Sequence, residues 1–239
     1  MNTNNINSII NIFRKRSLVT IAGRPAMGKT TMILGIISEL CRNKKKCLYI
    51  TDTEKERITS AILKLNANLQ DNENIVIQSE KIIQSAKRID TWTFHIYSTQ
   101  IFKFKDIKQL IEKNLPDFVI IDFYSLNKLP LKSLKLIANN QDLAIIVTTT
   151  IKRKEINENQ YPSLLDLKTS NIEKYSDEVL LLYRESYYNL NISETKLKEI
   201  EIIKAKSKGK PIKLNFCPEI WEEGIGLRKK YYSNKIVTL

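Results

Sequence analysis

The sequence predicts an α/β domain in which a mostly parallel, twisted sheet is flanked by helices and ends in a C-terminal β-hairpin. Short runs rich in β-branched residues alternate with longer segments of helical spacing along the chain. Several of these runs are almost wholly apolar, as expected for parallel strands buried on both faces. The last two runs are joined by a basic turn, which favours a hairpin. We expect one domain over residues 1–239, with an N-terminal extension at 1–16 and a C-terminal tail at 217–239.

Each element follows from a local pattern. Strands are predicted at 17–22, 47–51, 94–97, 118–121, 143–149 and 176–183, and the closing hairpin from residue 200 through 212–216. Helices are predicted at 6–13, 32–40, 54–65, 79–89, 104–114 and 131–140, where apolar residues recur with helical spacing. Ile75, Val76 and Ile77 are consecutive β-branched residues and predict a further short strand.

Composition indicates a globular protein with a polyanionic partner. Apolar residues make up 42% of the chain and charged residues 27%, which excludes a largely disordered protein. The formal net charge is +13, for which nucleic acid is the simplest partner. An AT-rich genome is the alternative explanation, because it inflates the codons for lysine, asparagine and isoleucine.

The sequence lacks the features of secreted and membrane-spanning proteins. Cys41, Cys47 and Cys217 are odd in number and have no metal-ligand spacing, so Cys41 and Cys47 are expected to be buried thiols in a reducing compartment. His95 is the single histidine and is expected to be structural. There is no signal peptide and no apolar run of about 20 residues, so we expect a cytoplasmic protein without a membrane span.

A glycine-rich loop joins the first strand to the following helix. It fits G-x-x-x-x-G-K-[ST], the phosphate-binding P-loop, in the strand–loop–helix context that the motif requires. Glycine lets the backbone fold closely around an anion, and the loop N–H groups face phosphate together with the helix N-terminus. Lys29 is placed to reach the β- and γ-phosphates, and Thr30 to hold Mg²⁺. The predicted nucleotide-binding residues are Gly23, Arg24, Pro25, Ala26, Met27, Gly28, Lys29, Thr30 and Thr31.

Acidic residues follow the second strand. Asp52 and Glu54 are expected at the edge of a parallel sheet where ligands bind. A carboxylate there can orient the water that attacks a γ-phosphate. Another interpretation is that Thr51, Asp52 or Thr53 caps the following helix, and the two roles are compatible.

A second carboxylate ends the apolar run at 118–121. Asp122 completes the Walker B pattern, in which a buried strand delivers an aspartate to the Mg²⁺ shell. An apolar run that ends in Asp is common by itself, but its position downstream of a P-loop favours this function. We therefore predict that Asp122 and Thr30 hold Mg²⁺.

Several segments carry motifs that are more specific than a generic P-loop. Residues 24–30 read Arg-Pro-x-Met-Gly-Lys-Thr, residues 164–173 contain Leu-Asp-Leu-Lys-Thr-Ser followed by Ile-Glu, and residues 182–189 begin with Leu-Tyr-Arg. These segments and the hairpin at residues 201–216 resemble the bacterial replicative DNA helicases of DnaB type, which carry the same loop wording, a Ser-Asp-Leu-Arg segment, a Leu-Tyr-Arg segment and a closing hairpin. The resemblance extends over residues 10–216.

This resemblance implies a RecA-like P-loop NTPase that uses ATP and Mg²⁺. Such motors form rings, hexamers among them, with ATP between neighbouring subunits. Their basic loops grip single-stranded DNA in the central channel, which fits the net charge of this chain. Lys152, Arg153 and Lys154 would then contact DNA. A homo-oligomeric ring and an assembly with a replicative helicase are the two arrangements that the resemblance suggests.

The chain departs from the family pattern at positions that convert nucleotide binding into work. Asp52 falls in the slot of the catalytic glutamate, with Glu54 as the nearby rival, and Thr150 replaces a polar sensor glutamine. The family's Lys-x-Arg pair, which approaches a neighbour's γ-phosphate, falls on Lys206 and Lys208, so a lysine stands in place of the bidentate arginine. The DNA loop behind the Walker B strand is shorter than in the family, and the family's N-terminal domain and linker helix are not found before the P-loop.

Two functional hypotheses follow. The leading one is an ATP-dependent helicase or translocase that moves on single-stranded DNA in DNA replication. The alternative is a catalytically degenerate paralogue that binds nucleotide and a helicase or replication partner without unwinding DNA. A RecA-like recombination or clock-type ATPase is a third hypothesis, which the Leu-Tyr-Arg segment and the closing hairpin disfavour.

Overall fold

The computed structural model describes residues 3–67, 69, 74–101, 103–122, 130–151, 161–188, 199–207 and 210–215. Within these residues the α-helices are α1 (Thr3–Ile10), α2 (Lys29–Arg42), α3 (Lys55–Ala67), α4 (Ile75–Asp90), α5 (Phe104–Asn114), α6 (Leu131–Asn140) and α7 (Ile172–Tyr175). The strands are β1 (Leu18–Gly23), β2 (Cys47–Thr51), β3 (Phe94–Ser98), β4 (Phe118–Ile121), β5 (Ala144–Thr150), β6 (Glu178–Tyr183), β7 (Glu199–Lys204) and β8 (Ile212–Asn215). Short 3-10 helices occupy Leu164–Ser170 and Glu185–Tyr187.

The strands form one sheet in the order β3-β2-β4-β5-β1-β6-β7-β8. β1 to β6 pair in parallel, whereas β7 pairs antiparallel with β6 and with β8. The predicted parallel sheet and C-terminal hairpin are therefore confirmed. We call the side of the sheet where β1 to β6 end the carboxyl edge, and the side where they begin the amino edge. β1 lies between β5 and β6, so its P-loop leaves the carboxyl edge near the middle of the sheet.

Helices cover both faces of the sheet. Tyr49 in β2 belongs to the core that contains α2 and α3, whereas Leu48 and Ile50 belong to the core that contains α5 and α6. This alternation follows from strand geometry, because successive side chains point to opposite faces. Ile6 and Ile9 pack α1 onto the first of these cores. The near-continuous apolar runs in the sequence thus reflect strands that are buried on both faces.

The prediction of a short strand at residues 75–77 is wrong. These residues form the first turn of α4. The side chain of Asn74 accepts a hydrogen bond of 2.7 Å from the Val76 N–H and so caps this helix. The side chains in this turn are largely exposed, at 79% for Ile75, 62% for Val76 and 47% for Ile77. Their β-branched side chains therefore gain no stabilisation from packing on a sheet. The helix cap and the helical spacing that follows it outweigh the local β propensity.

Other expectations concern single side chains. Cys41 and Cys47 are buried free thiols, as predicted, whereas Cys217 and the tail 217–239 lie outside the described residues. His95 is exposed on β3, the outermost strand of the sheet beside β2. No helix in the described part of the chain combines the length and the apolar character needed to cross a membrane.

Candidate functional site

The P-loop connects the end of β1 to the start of α2, and both of its glycines lie where a side chain would be crowded or strained. A Cβ atom on Gly23 would lie 3.1 Å from the Leu182 Cβ, a tight contact that requires a shift of a few tenths of an ångström, and 3.4 Å from the Met27 Cβ. Gly28 has a φ of 85°, in the left-handed region where a side chain is strained. Ala26 also has a positive φ, 62°, and completes the sharp path of the loop.

The N-terminus of α2 is open to an anion. Gly28 occupies the N-cap position, so no side chain accepts a hydrogen bond from the first N–H groups of the helix. There is no acidic residue in the first turn, which leaves the positive end of the helix dipole uncompensated. Lys29, Thr30 and Thr31, which form this turn, are all buried. This arrangement is the donor set that phosphate groups bind at helix N-termini.

Lys29 is held inside the loop. Its Nζ donates hydrogen bonds to the carbonyl oxygens of Gly23 at 2.9 Å and Arg24 at 3.2 Å. Burial lowers the pKa of Lys29 to about 8, against the opposing effect of the negative charge on Asp122. Lys29 is therefore a poorly solvated cation, for which an approaching phosphate is a favourable partner.

Side chains from the segment after β6 fasten the loop. Arg24 donates through Nη1 to the hydroxyl of Tyr188, and its guanidinium lies 5.5 Å from the centre of that ring. Arg184 donates through Nη1 to the carbonyl of Ala26 at 3.4 Å. Tyr188 stacks on Tyr183, with ring centres 5.7 Å apart. This supporting role was not predicted, because nothing in the local sequence indicates that the tyrosine-rich segment packs against a loop some 160 positions earlier.

Asp122 lies directly after β4 and is 1% exposed. Its Oδ2 accepts a hydrogen bond of 2.6 Å from the hydroxyl of Tyr49, and its Oδ1 accepts one of 2.5 Å from the hydroxyl of Thr148. Burial and the adjacent negative charge of Asp122 raise the pKa of Tyr49 well above its usual value, so this phenol stays protonated and donates. Sequence reasoning missed both hydroxyls, since Tyr49 is hidden in an apolar strand and Thr148 in a run of three threonines.

The residues expected to act on water also reach the carboxyl edge. Asp52 and Glu54 follow β2, which is separated from β1 by β4 and β5. Asp52 is partly buried, whereas Glu54 is exposed and pairs with Arg57 at 3.3 Å. Thr150 ends β5 in register with Gly23, so it lies beside the first residue of the P-loop.

The residues expected to act on a neighbouring subunit are elsewhere. Lys206 follows β7 at the amino edge, where its Nζ donates to the carbonyl oxygens of Glu173 at 3.0 Å and Ser176 at 2.6 Å. It is thus separated from the P-loop by the length of β6. Lys208 and the predicted DNA-binding residues Lys152, Arg153 and Lys154 lie outside the described residues.

A buried carboxylate holds the turn that carries Lys206. Glu178, at the start of β6, accepts hydrogen bonds through Oε1 from the backbone N–H groups of Val179 at 2.9 Å, Lys206 at 3.1 Å and Ser207 at 3.3 Å. Burial by itself would raise the pKa of Glu178, but the hydrogen bonds from Ser207 and these backbone groups outweigh it and lower the pKa.

The oxygen ligands available at this edge fit a nucleotide with bound Mg²⁺. Mg²⁺ prefers oxygen ligands and is usually held by one or two protein groups together with substrate phosphates and water. The Thr30 hydroxyl and the Asp122 carboxylate are such groups. No cluster of three or more His, Cys, Asp or Glu side chains suitable for a metal occurs among the residues that the structure describes. A metal site here would therefore depend on the phosphates for most of its negative charge.

Fold and site together define a RecA-like P-loop nucleotide-binding domain: a central β1, an open phosphate loop at the carboxyl edge, and an acidic strand end two strands away. A model of the DnaB-like helicase C-terminal domain matches residues 2–221. The chain belongs to this family and is related to the replicative DnaB-like helicases.

Individual relatives agree with this assignment. The chain is 30% identical over 239 residues to a probable replicative DNA helicase of Trieres chinensis, with 87% of this chain and 52% of the relative covered. It is 25% identical over 227 residues to the replicative DNA helicase DnaB of Geobacillus stearothermophilus, covering 84% and 50% of the two chains. The chain thus spans about half the length of the curated relatives it matches.

Solved structures support the fold. One of them, described as an ATPase domain, superposes with a TM-score of 0.73 at 21% identity, covering 87% of this chain and 84% of that one. A DnaB-like replicative helicase, described together with its interactions with primase, gives a TM-score of 0.71 at 22% identity and covers 86% and 57%. Both are similar in architecture, and the predicted RecA-like fold is confirmed.

Proposed function

We propose that this chain binds ATP with Mg²⁺ at the P-loop and acts as an ATP-driven motor on single-stranded DNA in replication. The observation that carries the proposal is the open N-terminus of α2, where uncapped helix N–H groups and the buried Lys29 face the same loop. A triphosphate satisfies both, because it accepts hydrogen bonds from the N–H groups and offsets the charge that burial leaves poorly solvated.

In this proposal each group at the carboxyl edge has a distinct task. Residues 23–31 bind the phosphates, and Thr30 and Asp122 hold the metal ion. Asp52 orients the attacking water, with Glu54 as the rival carboxylate; the partial burial of Asp52 and the exposed ion pair of Glu54 with Arg57 favour Asp52. Thr150, beside Gly23, senses the γ-phosphate.

The amino edge supports action between subunits. Lys206 lies at the opposite end of β6 from the P-loop, so it can approach only the nucleotide of another chain. We therefore propose a homo-oligomeric ring, for which a hexamer is the working arrangement, with Lys206 and Lys208 acting on a neighbour's phosphate. Lys152, Arg153 and Lys154 would contact DNA phosphates, in keeping with the net charge of +13.

Steady-state ATP hydrolysis with and without single-stranded DNA tests this proposal. A motor is expected to hydrolyse ATP and to be stimulated several-fold by DNA, because strand binding completes the assembly. Stimulation should weaken steeply with added salt, since it depends on phosphate contacts. A chain that binds ATP but shows no turnover in the presence of DNA would contradict the motor.

The second candidate is an accessory protein that binds nucleotide and a replicative helicase without unwinding DNA. Two substitutions favour it. Asp52 is one methylene shorter than glutamate, and a misplaced base costs orders of magnitude in rate. Lysine at position 208 lacks the planar fork with which arginine binds phosphate. Nucleotide binding without turnover, together with co-elution with a replicative helicase, is the expected result for this candidate.

A further inference from the structure

Two hydroxyl groups grip the Walker B carboxylate from both sides. β4, which is followed directly by Asp122, lies between β2 and β5 in the sheet. Tyr49 in β2 donates to one carboxylate oxygen at 2.6 Å, and Thr148 in β5 donates to the other at 2.5 Å. Tyr49 and Thr148 are both 0% exposed and Asp122 is 1% exposed, so water does not compete for these bonds.

We propose that Tyr49 and Thr148 are positioning residues that hold the Asp122 carboxylate in the orientation that receives the magnesium ion or its bound water. The inference rests on the proposed nucleotide-binding function. It adds a supporting layer, drawn from the two strands next to β4, to a metal site for which Thr30 and Asp122 are the direct protein groups.

The physical reason is the rotational freedom of the aspartate side chain. A carboxylate held by one hydrogen bond still turns about its Cβ–Cγ bond, whereas bonds to both oxygens from opposite strands fix its plane. Hydrogen bonds from a hydroxyl to a carboxylate are short and strong, and those in a dry environment are strongest. An oxygen of a carboxylate accepts more than one bond, so a single hydroxyl does not exhaust it.

A purely structural role makes a different prediction. Buried hydroxyls and a buried carboxylate need partners in any protein, and mutual satisfaction alone would affect folding stability without favouring the metal. If the two hydroxyls position Asp122, their removal must weaken Mg²⁺-dependent nucleotide binding while metal-free nucleotide binding persists. Side chains that orient metal ligands typically change metal affinity by about 10- to 100-fold when they are removed.

The variants Tyr49→Phe and Thr148→Val remove the hydroxyls with little change in shape. Phenylalanine keeps the ring that packs at 6.4 Å from the ring of Phe94. Thr149→Val is the matched control, because Thr149 is the next residue in β5, is 3% exposed, and has the same chemistry on the other face of the sheet.

The experiment measures binding of a fluorescent ATP analogue to the full chain, in EDTA and across a Mg²⁺ titration, with thermal denaturation to verify folding. We expect the Mg²⁺ concentration that gives half of the maximal increase in nucleotide binding to rise about tenfold in Tyr49→Phe and in Thr148→Val. Nucleotide affinity in EDTA should stay within about twofold of wild type. Thr149→Val should match wild type. Tyr49→Phe alone decides the question if Thr148→Val does not fold.

Three results would overturn the inference: an unchanged Mg²⁺ midpoint in Tyr49→Phe, an equal shift in Thr149→Val, or an equal loss of affinity with and without metal. These results are distinguishable from failure of the proposed function. If the wild-type chain binds no nucleotide, both the proposed nucleotide binding and the positioning role are ruled out. If the wild-type chain binds Mg²⁺-nucleotide and Tyr49→Phe has no effect, only the positioning role is ruled out.

Discussion

The two edges of the sheet each present a lysine bonded to backbone carbonyls, but the two lysines differ in burial and in the segments to which they bond. Lys29 at the carboxyl edge is 8% exposed, and its bonds stay within its own loop. Lys206 at the amino edge is exposed and bonds to carbonyls in and after α7. Lys29 thus lies in the P-loop itself, whereas Lys206 is separated from the P-loop by the length of β6.

The largest effect is expected from the carboxyl edge. Lys29→Ala removes a buried cation that faces the phosphate site, and loss of one partner of a buried charged pair costs about 2–5 kcal/mol. We expect nucleotide affinity to fall by about 100-fold, since 1.4 kcal/mol corresponds to a factor of ten. Equilibrium binding of a fluorescent nucleotide measures this.

Lys45→Ala is the control for that loss. Replacing Lys45 removes the same positive charge as Lys29→Ala does. Lys45 lies in the exposed turn after α2, at the end of the helix remote from the P-loop. Its nucleotide affinity should stay close to wild type. Unchanged affinity in Lys29→Ala would rule out the site, and equal losses in both variants would reduce the effect to net charge.

A pH titration sharpens the difference between the two lysines. The pKa of Lys29 is lowered to about 8, and bound phosphate favours its charged form. Binding above pH 8 must therefore take up a proton, and nucleotide affinity should fall by up to about tenfold per pH unit as the pH rises. The free energy of unfolding should instead rise with pH between pH 8 and the ordinary lysine pKa of 10.5, because Lys29 has lost its proton in the folded chain there but still holds it in the unfolded chain.

Lys29→Arg tests the assignment, since arginine does not deprotonate in this range. Whatever its affinity at pH 7, the arginine variant should show a flat profile up to about pH 9.5. A flat profile in the wild type, or an equal fall in Lys29→Arg, would assign the pH dependence to another group.

The sequence predicts the carboxyl edge far better than its internal support. The P-loop is recognised because its chemistry lies within nine consecutive residues, and Asp122 because it ends an apolar run. The partners of Asp122 depend on which strands are neighbours, and strand order is a property of the whole sheet. Local propensity has the same limit at residues 75–77, where a cap from Asn74 and exposure to solvent decide the structure.

The amino edge is harder to predict for a related reason. The resemblance assigns a role to Lys206, but nothing in the local sequence indicates that Glu178 holds its turn. The two residues are 28 positions apart and meet because β6 and β7 are antiparallel neighbours. If Lys206 acts between subunits as proposed, its tethered turn is an advantage, because less conformational freedom is lost on contact.

The smallest effect is expected from Glu178→Gln at this edge. Glutamine keeps an acceptor oxygen but loses the negative charge that strengthens the hydrogen bonds from three backbone N–H groups. We therefore expect the free energy of unfolding at pH 7 to fall by about 1 kcal/mol. The lowered pKa fixes the sign: the stabilisation is present above the ordinary value of 4.5 and is lost as the pH falls below it, where the carboxyl gains a proton. Urea denaturation at pH 7 and near pH 4 should show the stability difference between Glu178→Gln and wild type shrink at the lower pH.

Glu112→Gln is the control. Glu112 is exposed, its Oε1 lies 3.8 Å from the Lys108 Nζ, and its replacement should change stability by less than about 0.5 kcal/mol at either pH. A difference that persists undiminished at low pH would show that the Glu178 charge does not hold the turn.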